Sequence, residues 1–314
     1  MAGPSNYPGG FAQGITIRGV PITSTNPGEV FWVNNSSVLA KGGVGGSDGN
    51  PGTYQKPFST ITYALTQCTE NRGDIIVVMP GYTETVAAAA GEVWNVAGVA
   101  IIGLGSGSLK PTFTLTATAS DINVTAADMS VYNVRFVSGV ADQVHCLHVT
   151  GANFAVDHCE FMASAAATAI LTSVITTATA YGFTFTNNTI NMESSIAGVA
   201  VTDVAASGVE TLADNSVIKG NSIMGSFTSA GIFNQTTAAE GCLITDNDIF
   251  NVGSVAAGGI SVHANTTGLC ARNMIRVTYA TNITTLITAA AMGQCENYLN
   301  NATAETGGKL TASA

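Results

Sequence analysis

The chain has 314 residues, of which 46% are hydrophobic and only 10% charged, against roughly 25% charged in an average domain. Core material is ample, and so few charges on so much apolar surface point to an oligomer rather than a lone monomer. Twenty acids face ten bases; no Lys/Arg cluster is present, which argues against a nucleic-acid partner, and the apolar run 93–105 is too short and too Gly-rich to span a bilayer.

In chain order, residues 1–44 stand apart. They carry Pro, Gly and aromatic residues with short extended runs, GITIRGVPI and EVFWVNN. They read as a docking arm that adds to a sheet edge, with Phe11, Ile15, Ile17, Arg18, Val20, Phe31, Trp32 and Val33 available to a partner. No basic segment precedes an apolar core here, so no secretory signal is expected. GGVGGSDG (42–49) reads as a hinge, and residues 45–73 form a loop and then a helix. Ser59 or Thr60 is suited to cap that helix, and Ile61, Ala64, Leu65 and Cys68 share one face.

From 74 to 300 the chain repeats. The pattern is apolar, any, apolar, any, any, Asn, any, apolar, as in FTFTNNTI (183–190), SVIKGNSI (216–223), CLITDNDI (242–249), GLCARNMI (268–275) and MGQCENYL (292–299). The asparagine slot holds Asn188, Asn221, Asn247, Asn273 and Asn297. Upstream the same slot holds Pro80, Leu104, Val134 and Cys159. A period of this length marks a solenoid. Short alternating strands with no long helical pattern specify an all-β parallel β-helix of about nine rungs, with further strands at 198–204, 231–236 and 259–264. Asparagine tolerates left-handed backbone angles, so stacked slots predict an asparagine ladder. Four of the six cysteines fall at core positions, which predicts reduced, buried thiols. Residues 301–314 are a tail.

The segment 45–86, with its Gly/Asp loop, KPFSTI..AL helix and GDIIVVMPGYTE first rung, resembles the entry segment of right-handed parallel β-helices of the pectin-lyase-like superfamily. That resemblance implies a single-stranded right-handed parallel β-helix with an N-terminal capping helix. The 1–44 segment followed by this helix resembles structural proteins encoded near head genes in tailed bacteriophages and prophages.

Two acids around one asparagine in CLITDNDI, Asp246 and Asp248, raise three readings: a charge ladder with Arg272 and Glu296 on neighbouring rungs, a glycan or calcium site, or a glycosidase pair. The acid motifs of superfamily polygalacturonases do not appear in matching order, and the ladder is preferred. His145, His148 and His158 with Asp157 and Glu160 form a polar cluster, read as surface or rung-bonding rather than metal-binding because three converging ligands are needed. The RGD at 72–74 is read as a turn. No catalytic residue, cofactor or metal is expected. The leading expectation is a non-enzymatic virion protein, assembled in the host cytoplasm: a homotrimer decorating a phage head and held to the major capsid protein by its arm. A tail or spike component that binds or cleaves surface glycan is the first alternative, and a polysaccharide lyase or hydrolase the second.

Overall fold

The structure, a computed structural model, describes residues 16–17, 20–21, 28–37, 39–164, 170–192, 205–210, 213–234, 237–252, 258–278, 286–300 and 308–310. Each repeat lays down short strands on three faces of one coil. In the seventh rung these are Cys242–Thr245, Asp248–Asn251 and Gly258–Val262. Like strands of successive rungs pair in parallel and build three sheets among the described residues. Sheet 1 runs over ten strands from Val30–Val33 to Met292–Cys295. Sheet 2 runs from Thr83–Val86 to Asn297–Asn300, and sheet 3 over eight strands from Glu92–Trp94 to Ile287–Thr288. The chain is thus an all-β parallel β-helix: eight complete coils and a ninth with strands on sheets 1 and 2. At about 4.8 Å per strand, the nine rungs stack over roughly 40 Å.

Register places like on like. Sheet 1 aligns Ile218 with Ile244 and Cys270; sheet 2 aligns Ile223 with Ile249 and Ile275; sheet 3 aligns Ile232 with Ile260. All of these are buried. In the N-terminal half the same inward columns carry rings. Phe113 stacks on Phe136 and Phe136 on Phe161, with centroids 5.7 and 4.9 Å apart. Because successive strand residues point to opposite faces, a one-residue slip would turn every such column outward.

The bend between sheets 1 and 2 is where the sequence repeat is strictest. One residue there takes a left-handed backbone: Asn133, His158, Asn187, Gly220, Asp246, Arg272 and Glu296 on successive rungs, with φ between 53 and 68°. It immediately precedes the slot, so the slot asparagine itself is not the left-handed residue, contrary to the sequence expectation. At Gly220 a Cβ would stand 2.9 Å from Asn187 Oδ1 on the rung before.

The slot side chains turn inward and are buried. The Asn247 backbone N–H donates to Asn273 Oδ1 (3.1 Å), and Asn221 N–H donates to Asn247 Oδ1 (3.1 Å). Asn247 Nδ2 donates to Ile218 O (3.0 Å) and to Asn273 Oδ1 (2.9 Å). The backbone link repeats from Cys159 N–H to Asn188, from Asn188 N–H to Asn221, and from Asn273 N–H to Asn297. Each amide therefore serves the backbone groups of the preceding rung at the point where the strand ladder is interrupted, as buried backbone polar groups require. In Cys159 a thiol occupies the slot and makes only sulfur contacts, 3.9 Å to Val131 O on the rung before and 3.5 Å to Asp157 O on its own.

The N-terminal end is closed by the helix Ile61–Gln67, whose cap is Thr60: its Oγ1 accepts from Tyr63 N–H at 3.1 Å. Ile61, Ala64 and Leu65 are buried under it, and Cys68 is half-buried. The GGVGGSDG stretch, residues 42–49, is held against the fold rather than free as a hinge. Gly46 passes so near Asn34 O that a Cβ would lie 1.5 Å from it, and Asp48 accepts from Ser59 N–H (2.9 Å), Thr60 N–H (3.1 Å) and Thr60 Oγ1 (3.1 Å).

The arm also needs correction at its C-terminal part. Val30–Val33 pairs in parallel with Ile75–Val78 and is the first strand of sheet 1. Phe31 and Val33 are buried in the chain's own core, and Trp32 packs edge-on against Tyr54 at 4.9 Å. These three are spent inside the fold rather than free to dock. Ile17 and Val20 pair in a short antiparallel bridge; Phe11, Ile15 and Arg18 lie outside the described residues, as does the strand expected at 198–204. The third strand of that rung is described at Ala205–Glu210. At the other end, Gly308–Leu310 in the expected tail returns antiparallel to Asn297–Asn300 and covers the edge of sheet 2.

All six cysteines are free thiols, with Cys146, Cys159, Cys242 and Cys270 buried.

Two expectations follow. Asn247→Ala strands two buried donors of Asn221 together with Ile218 O, so it should cost about 2 kcal/mol or more in urea unfolding; an unchanged midpoint would contradict the ladder. Glu92, buried beneath the cap and accepting from Thr62 Oγ1 at 2.5 Å, has its carboxyl pushed up by burial to about 6. A raised carboxyl pKa means that stability is highest below about pH 4.5 and falls as pH rises through about 6. Glu92→Gln should therefore stabilise by about 2 kcal/mol at pH 8 and by almost nothing at pH 4, read from melting curves at the two pH values.

Candidate functional site

The outward surface of sheet 2, together with the bend that leads into it from sheet 1, gathers most of the charged residues singled out in the sequence. Its strands present one column through Arg135, Glu160, Thr189, Ser222, Asp248, Met274 and Tyr298, and a second through Asn191, Met224, Phe250 and Arg276. Charge gathers in two groups, one around Glu160 and one around Asp248 and the bend residue Arg272.

At the N-terminal end, Glu160 receives Lys110 Nζ and Arg135 Nε, each at 2.8 Å. Burial pushes its carboxyl up, but the two cations outweigh this and hold it below the usual range. Beside it Asp157 binds His158 Nδ1 (2.9 Å), Thr186 Oγ1 (2.9 Å) and Asn187 Nδ2 (2.8 Å), and the His158 ring lies 5.0 Å from Tyr132. His145 and His148 are not part of this group. They stand on the sheet 3 strand Gln143–Val149, so the five-residue cluster read from the sequence divides between two faces.

At the C-terminal end, Arg272 grips Asp246 through Nε (2.7 Å) and Nη2 (3.0 Å) across one rung. That hydrogen bonding holds the Asp246 carboxyl below the usual range, and Glu296 on the next rung adds to the field on Arg272. The acid–base–acid ladder is therefore present as an electrostatic column. Asp248 is held separately: Arg276 Nη2 reaches both its oxygens at 2.9 and 3.0 Å. Arg276 was not foreseen. Its signal was the register that sets it next to Phe250 and diagonal to Asp248. The guanidinium lies 4.8 Å from the centre of the Phe250 ring, within the range of a cation–π contact. These side chains wall a shallow cleft of about 260 Å³ with Thr189, Asn191, Ser222 and Met224.

The chemistry of this surface is that of neutralised charge. A glycosidase acid needs a raised pKa, and Asp246 is moved the other way. Calcium needs several carboxylate or carbonyl oxygens free to converge, whereas Asp246 and Asp248 spend theirs on separate guanidinium groups. The RGD turn is likewise internal: Asp74 is fully buried and takes Arg72 Nε at 2.7 Å and Nη2 at 2.8 Å, with Thr69 and Glu29 N–H also at 2.7 Å. A second groove, about 510 Å³, runs between the capping helix and residues 90–96 and includes Cys68. Burial and the charge of Asp74 push that thiol up to about 12, so it is no nucleophile at neutral pH.

A family model described as "Protein of unknown function (DUF1565)" matches residues 44–303. No curated protein matches. Among solved structures the chain is similar to one titled "Rhamnogalacturonan lyase", at 11% identity and a TM-score of 0.42, over 86% of this chain and 87% of that one.

Side chains this exposed make weak ion pairs. A double-mutant cycle on Asp248 and Arg276 should return a coupling below about 1 kcal/mol that shrinks further with added salt; a larger, salt-insensitive coupling would mark a desolvated site.

Proposed function

For this chain, which belongs to the DUF1565 family, we propose a non-enzymatic structural role: a rod that associates side by side as a homotrimer and decorates a phage head, anchored through residues N-terminal to the first strand of sheet 1. The observation that carries the non-enzymatic part is the arginine held against each of Asp246 and Asp248. The two carboxylates nearest to a catalytic pair are committed to neutral rung-to-rung contacts, and a guanidinium closes the cleft beside them.

Lateral association is supported by what lies exposed. Met274 and Tyr298 adjoin on sheet 2 and are about half exposed, and Leu269, Val144 and Tyr181 add apolar surface elsewhere. With 10% charged residues, little else keeps such faces apart. The placement on a virion rests on the likeness of the N-terminal segment and following β-helix to phage structural proteins. The docking role now falls to residues 1–27, since Phe31, Trp32 and Val33 are built into the fold.

In light scattering the full chain should run near three times 31.8 kDa, and incubation with pectin, alginate or capsular polysaccharide should release no unsaturated or reducing ends. A stable monomer at micromolar concentration would reject the trimer. Turnover abolished by Asp246→Asn or Asp248→Asn would reject the non-enzymatic reading and favour a glycan-cleaving tail protein or lyase.

A further inference from the structure

On sheet 3, away from the charged columns of sheet 2, three side chains from two adjacent rungs converge. Asp121 precedes the strand Ile122–Val124, and His145 and His148 lie on the neighbouring strand Gln143–Val149. His145 Nε2 stands 2.9 Å from Asp121 Oδ2, the two imidazole rings meet edge to face at 5.3 Å, and one ligand atom from each of the three residues lies within 4.8 Å of the others. We infer that Asp121, His145 and His148 form a binding site for a divalent transition-metal ion.

The donor set is suited to that class of ion. Two imidazoles with one carboxylate match zinc, cobalt, nickel or ferrous iron, whereas calcium and magnesium want oxygen ligands only. An ion bonded at about 2.0–2.1 Å to both His145 Nε2 and Asp121 Oδ2 needs those atoms only a few tenths of an ångström further apart than they stand. Binding would displace the proton that joins them.

The site is also braced as metal sites are. Asp121 is nearly fully buried, and its second oxygen accepts from Ala90 N–H, on a residue with a left-handed backbone (φ 49°). That contact fixes the carboxylate plane and leaves Oδ2 facing His145. Asn123 stands opposite His148 in the ladder, and its Oδ1 is buried with no hydrogen-bond partner. An acceptor on the paired residue of the neighbouring strand is the kind of group a ligating histidine uses for its other N–H. Three protein ligands leave room for water or for a group from a partner. The ion would tie the second and third rungs together on sheet 3.

The test titrates the full chain, without a polyhistidine tag, with zinc chloride by calorimetry and with cobalt(II) by absorption. One ion per chain should bind, with a cobalt spectrum of nitrogen and oxygen ligands. His145→Ala and His148→Ala should each weaken binding at least about tenfold, the scale on which even outer-shell partners act, while His158→Ala leaves it unchanged. Circular dichroism checks that the variants fold, and His148→Gln offers a substitution closer in bulk. Zinc uptake that both histidine substitutions leave intact would overturn the assignment, as would no uptake at micromolar concentrations. A strong thiolate band in the cobalt form of the unmodified chain would place the ion on a cysteine and overturn it equally.

Discussion

A backbone N–H buried without a partner is too costly for a fold to keep, and the bend between sheets 1 and 2 creates such a group on rung after rung. The left-handed residue that turns the chain also breaks the strand ladder. From the fourth rung onward the missing acceptor is the side-chain oxygen of an asparagine one rung later. That single requirement pins the slot, the slot pins the register, and the register decides which residues stack. The isoleucine columns of the later rungs are consequences of it as much as sources of stability.

The repeat was legible for the same reason. An amide that must reach a fixed backbone atom leaves little freedom of residue or spacing, so Asn188, Asn221, Asn247, Asn273 and Asn297 stood out, and the fold class with them. The left-handed position was missed because it is chemically permissive: Asn, His, Gly, Asp, Arg and Glu all occupy it, and no pattern of residue type survives. The strand at 30–33 was misread as free because its partner, Ile75–Val78, lies some 45 residues on, with a loop and helix between. Asp121 and His145 were not brought together because the third strand of each rung begins at no fixed distance from the slot.

The charged surface has its own economy. Each arginine among the described residues meets a carboxylate: Arg72 with Asp74, Arg135 with Glu160, Arg272 with Asp246 and Arg276 with Asp248. Three of these pairs cross from one rung to the next, so a residue's partner is set by the helical repeat and not by its neighbours in sequence. With so few bases, pairing them this way leaves the excess negative charge on other acids and keeps sheet 2 nearly neutral along its length. Such a surface is suited to lying against another of its kind.

The direction of the asparagine bonds has a further consequence. Each slot N–H from Cys159 to Asn273 is completed only by the following rung, so a rod cut short between them would end on an open buried amide. No intermediate length is self-sufficient. Past Asn297, the last slot asparagine, the strand Gly308–Leu310 runs antiparallel along the edge of sheet 2, in the place where the strand of a further rung would pair.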